Sequence, residues 1–82
     1  MITHLGEFRT HLAGLASADR YVAFLKDIAA KSGQSITPTT LRSDDDIQAF
    51  AALLAPHYAE KSLANFRSVM RHYVDMVHDL GL

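Results

Sequence analysis

Residues 60–80 read E-K-S-L-A-N-F-R-S-V-M-R-H-Y-V-D-M-V-H-D-L, and the apolar spacing within them settles the class of fold. Leu63, Phe66, Met70, Tyr73, Val77 and Leu80 step by three and four residues in turn, the period of one helical face. Val69, Val74 and Met76 widen that stripe. A helix with so broad an apolar side has to pack against several others, or present a surface to a partner. The spacing therefore predicts a long helix that cannot stand alone.

Three shorter segments upstream supply the neighbours. Over about residues 4–13, Leu5, Phe8, Leu12 and Leu15 share a face, with Thr3 as the expected N-cap and Gly14 as the expected residue after the end. Over 18–32, Tyr21, Phe24, Leu25 and Ile28 form a stripe; Ser17 is the expected cap, Asp19 suits the first turn, and Gly33 is the stop. Residues 34–43 read as a loop, because Pro38 holds Thr37 out of helical geometry and the threonines favour local side-chain bonds. Ile36 and Leu41 are expected to tuck beneath it. A third helix is predicted from Ser43 or Asp44 to about Ala55, with Ile47, Phe50 and Leu54 on one face, Leu53 beside them, and Pro56 as its breaker. No alternating Val/Ile/Thr run exceeds four residues, so no strand is expected. The predicted architecture is all-α, a compact four-helix orthogonal bundle forming a single helical domain over 1–82.

Composition narrows the function. The chain has 82 residues, 49% hydrophobic and 21% charged, with no cysteine and no tryptophan. The apolar fraction is too high for a disordered chain, and the length fits one domain. Lacking cysteine, it has no disulfide framework, thiolate metal site or thiol nucleophile. Its longest apolar stretches, such as 49–56, fall well short of a membrane span of ~20 residues. No basic region followed by an apolar run marks a secretory signal, so a cytoplasmic location is expected. The net charge of −1 is unevenly distributed. Asp44, Asp45, Asp46 and Glu60 concentrate the acidic excess, while the flanking segments are slightly basic. One small basic surface is compatible with that layout.

Four clusters hold residue types capable of chemistry. Asp44-Asp45-Asp46 reads as helix capping, since consecutive helical residues point about 100° apart and cannot converge on one ion. His4, Glu7 and His11 recur at i, i+3 and i+7, as do His72, Asp75 and Asp79. Both trios read as polar helix faces, because neither carries a His-Glu-x-x-His pattern or an activated nucleophile. No glycine-rich phosphate loop exists, so no enzymatic activity, metal or cofactor is expected. Lys61, Ser62, Asn65, Arg67, Ser68 and Arg71 differ in combining phosphate-binding types with a base-reading amide.

The order of these signals resembles the SAM-like N-terminal core-binding domain of tyrosine recombinases, the phage integrases. The residues concerned are F-R-T-H-L-A-G-L (8–15), S-A-D-R-Y-V-A-F-L (17–25), I-T-P-T-T-L (36–41), D-D-D-I-Q-A-F (44–50) and K-S-L-A-N-F-R-S-V-M-R-H-Y-V (61–74). The terminal D-L-G-L (79–82) resembles the point where the recombinase linker would start. The resemblance is a pattern of helix lengths and residue classes over nearly the whole chain, without an invariant motif. It implies that the second and fourth helices face DNA. Carried over by position, it implicates Arg20, Lys61, Ser62, Asn65, Arg67 and Arg71 in DNA binding. The family's catalytic domain has no counterpart here, and Tyr73, on the apolar stripe, is not its nucleophile.

Two functions are therefore expected. The first is a helical module that contacts duplex DNA mainly through the fourth helix. The second is a protein-interaction module of phage or mobile-element origin, an adaptor, inhibitor or homodimer, using the wide apolar stripe of the fourth helix.

Overall fold

In the structure, a computed structural model describing residues 1–82, four helices form: α1 (Leu5–His11), α2 (Ala18–Ser32), α3 (Asp44–Leu54) and α4 (Glu60–Asp79). The chain is an all-α bundle. Helix α4 organises it, touching each of the other three, whereas α1 and α3 do not meet. Eight residues of α4 are buried, including Val69, Val74 and Met76. The width of its stripe thus reflects a helix packed on three neighbours, and those side chains are not on the surface. No helix is long and apolar enough to cross a membrane.

One core draws on all four helices and on Ile36 and Leu41, which are buried under the loop as expected. Phe66 sits edge-on to both Phe24 and Tyr58, with ring centroids 5.6 and 4.7 Å away. Tyr73 is 0% exposed. Its ring lies 5.7 Å from that of Phe8, and its hydroxyl donates to the Thr3 carbonyl at 3.0 Å. A buried phenol needs such a partner, since an unsatisfied hydroxyl there would cost about 1–3 kcal/mol. No buried side-chain nitrogen or oxygen is left without one.

Helix ends follow their chemistry, with informative exceptions. Ser43 is extended, and its hydroxyl accepts from the Asp46 amide at 3.4 Å, while the Asp46 carboxylate accepts from the Arg42 amide at 2.9 Å. This is a capping box displaced by one residue. Gly33 closes α2 in the left-handed conformation. At the end of α4, Gly81 is also left-handed; its amide donates to the His78 carbonyl and the Leu82 amide to that of Val77, a Schellman motif. The spacing did not anticipate that turn. Leu80, the cap residue just before it, is 52% exposed and does not extend the buried stripe.

Helix α1 departs most from expectation. Thr3 does not cap it, because the Thr3 amide pairs with the Ile36 carbonyl and the Ile36 amide with that of Met1. This isolated parallel bridge, Ile2 to Ile36, pins the start of the chain to the loop. His4 becomes the cap residue, in the left-handed conformation at φ 59°. The helix stops at His11 and the chain continues in turns, so Gly14 is not its terminator and Leu15 is exposed. Those turns deliver Ser17 at φ −95°, ψ 12°, not the extended geometry a capping hydroxyl uses, and Ser17 makes no cap bond. On α2 the buried line is Val22, Leu25 and Ile28, with Tyr21 and Phe24 half-buried beside it. On α3, Ala51 is buried and Leu53 faces outward at 45% exposure.

Candidate nucleic-acid interface

The six residues expected to face DNA do not form one surface. Successive helical residues rotate by about 100°, and Asn65 and Arg67 consequently fall on opposite borders of the solvent-facing side of α4. Ser62 lies on neither border; it precedes Phe66 by one turn on the buried side and is half-buried.

The border toward α3 carries Arg67 and Arg71. Arg67 Nη1 donates to Glu60 Oε1 at 2.7 Å, and Arg71 Nη1 donates to Asp44 Oδ1 at 2.9 Å. Both pairs are exposed enough to add little to stability. They matter electrostatically, because each carboxylate offsets the charge its guanidinium presents to an approaching phosphate. The three aspartates do diverge: Asp44 goes to Arg71, and Asp46 to the Arg42 amide.

The border toward α2 differs. Arg20, Tyr21, Phe24 and Ser17 from the start of α2, with Asn65 and Ser68 from α4, line a cleft of about 180 Å³. Arg20 is exposed, and it alone among the five arginines has no partner. Arg9 pairs with Asp19, Arg67 with Glu60 and Arg71 with Asp44, while Arg42 donates to the Pro38 and Leu82 carbonyls. Lys61 is also exposed and forms no ion pair. On the rim of this border His72 lies against Tyr21, ring centroids 5.2 Å apart.

The sequence singles out Arg20, Asn65 and Ser68; Tyr21 and Phe24 pack against the core as the stripe predicts and line the cleft as well, whereas Ser17 lines it in place of the expected cap bond. A signal was available. Ser17, Arg20, Tyr21 and Phe24 are spaced i, i+3, i+4 and i+7, one helical face mixing hydroxyl, cation and aromatic groups.

Neither histidine–carboxylate trio converges into a three-ligand cluster. His4 Nδ1 lies 2.6 Å from Glu7 Oε2, while His11 Nδ1 turns to Asp79 Oδ2 across the bundle at 3.9 Å. His72 is taken up by Tyr21. The hydrogen bond with His4 holds the Glu7 carboxyl below the ordinary glutamate range. Burial pushes the Tyr73 phenol up from its usual value.

The chain matches no family model, no curated protein and no solved structure.

Proposed function

We propose that the chain is a small cytoplasmic DNA-contacting module, without chemistry of its own, that meets duplex DNA along the border between α2 and α4. The observation that carries this reading is the unpaired guanidinium of Arg20, set over a cleft with Asn65 and Ser68 and on the same border as Lys61. Phosphate contacts of this kind position a protein on the duplex, and an amide side chain can read base edges. The resemblance to the SAM-like core-binding arm of phage integrases supports the same two helices. Compared with an interface on α4 alone, the weight moves from Arg67 and Arg71 to Arg20, Lys61 and Asn65.

The test is fluorescence anisotropy with a labelled random-sequence duplex at ~50 mM salt. Weak binding that falls steeply as salt rises is expected, with a logarithmic slope of about −0.9 per phosphate contact. Undetectable binding at that salt removes the reading.

A second reading is favoured by α3. Ala49, Ala52, Leu53 and Pro56 are exposed on and just beyond its outer side, an apolar surface that could seat another protein or a second copy. The stripe of α4 no longer motivates this reading, because its residues are buried. Light scattering at two concentrations, with Leu53→Lys as the variant, separates a dimer from a strict monomer.

A further inference from the structure

The cleft between α2 and α4 has a size, a composition and a charge of its own. Its volume of about 180 Å³ is below the roughly 300 Å³ at which drug-sized pockets begin. It corresponds to about six waters at ~30 Å³ each. That space is sized for one small polar group.

Four of its six lining residues are polar or charged: Ser17, Arg20, Asn65 and Ser68. The single charge among them is the Arg20 cation. No carboxylate lines the cleft, although acids neutralise Arg9, Arg67 and Arg71 elsewhere on the protein. Ser17 is free of any capping bond. Tyr21 and Phe24, both half-buried, form the apolar part of the lining, and an ionic hydrogen bond beside such groups is stronger than one in open solvent.

We infer that this cleft is a seat for a single tetrahedral phosphate group. The Arg20 fork donates to two of its oxygens, the Ser17 and Ser68 hydroxyls and the Asn65 amide donate to the remainder, and the two aromatic rings close the back. A guanidinium suits this role better than an ammonium because its planar donors match two oxygens at once. The inference rests on the proposed DNA reading only for the source of the phosphate, a nucleic-acid backbone as opposed to a free ion.

Two-dimensional amide NMR of the full chain tests it, with inorganic phosphate titrated against sodium chloride at matched ionic strength. Saturable phosphate-specific shifts are expected at Ser17, Arg20, Asn65 and Ser68, including the Asn65 side-chain amide. They should vanish in Arg20→Ala and weaken in Asn65→Ala. Absence of saturable shifts overturns the inference. In the duplex arm, Arg20→Ala should weaken binding about tenfold at ~50 mM salt, whereas Lys26→Ala, an α2 cation outside the cleft, should change it less than about threefold. Equal losses in the two variants overturn the seat in favour of bulk charge. Phosphate shifts without duplex binding uphold the seat, with a free phosphate as its ligand, and sink the DNA reading. Duplex binding without phosphate shifts does the reverse.

Discussion

The guanidinium of Arg71 on α4 holds the carboxylate of Asp44, the first residue of α3, at 2.9 Å. Both side chains are more than half exposed, so the pair adds at most ~1 kcal/mol to stability. Its consequence is competition, since the Asp44 carboxylate offsets the charge of Arg71 and repels a DNA phosphate approaching it. Asp44→Asn should therefore raise duplex affinity at low salt, by roughly threefold for one released phosphate contact. Asp45→Asn makes the same change in net charge without freeing an arginine and should raise it less. Anisotropy titrations of the two variants decide the point, and equal gains would show that Arg71 takes no part.

Tyr73 bridges α4 to the start of the chain through its bond to the Thr3 carbonyl. Tyr73→Phe keeps the ring and its packing on Phe8 but removes the donor. It should destabilise the fold by about 1 kcal/mol in urea. The same change alters the alkaline limb. Burial raises the Tyr73 phenol above its model-compound value of 10.0, so the folded state retains that proton more tightly than the unfolded chain. The associated stability is fully present below pH 10.0 and is lost as pH rises through the folded value. Denaturation curves on either side of pH 10.0 should show a smaller fall for the phenylalanine variant than for the wild type.

At the other end of the pH scale, Glu7 is held below 4.5 chiefly by its hydrogen bond with His4. A depressed carboxyl contributes stability that is present above 4.5 and lost as pH falls through its folded value. The Glu7 side-chain carbon signals in NMR should titrate with a midpoint below 4.5, and His4→Ala should return the midpoint toward that value. An unchanged midpoint in the variant would assign the shift to the backbone hydrogen bond instead.

The long helix was the most legible part of the chain, because Leu63, Phe66, Met70, Tyr73 and Val77 follow one period and their burial enforces it. Helix α2 was legible in extent, yet its fully buried line is Val22, Leu25 and Ile28, with Tyr21 and Phe24 half-buried between that core and the cleft. Helix α1 was legible only in part. Its start is fixed by the pairing of Thr3 with Ile36, thirty-three residues away, which no local spacing encodes. The candidate interface was half legible for a related reason. Residue types singled out Arg20, Lys61, Asn65, Arg67 and Arg71, but whether an arginine is free depends on the carboxylate opposite it. Asp44 reaches Arg71 across 27 positions of sequence.

The two glycines expected to end helices separate this local information from its tertiary override. Gly33 terminates α2 at φ 69°, in the left-handed region, whereas Gly14 follows α1 without a positive φ. An added Cβ would meet no atom within 4 Å at either site, so packing does not distinguish them. The backbone does. A side chain at Gly33 must adopt the left-handed conformation, at a cost of about 1–2 kcal/mol, while at Gly14 it mainly restricts the unfolded chain, worth about 0.4–1 kcal/mol of added stability. Gly33→Ala should therefore lower the thermal midpoint by several degrees, about 4–8 °C per kcal/mol for a domain of this size. Gly14→Ala should leave it unchanged or raise it. Circular dichroism melts of the two variants measure the difference, and an equal fall in both would mean that α1 ends on Gly14 after all.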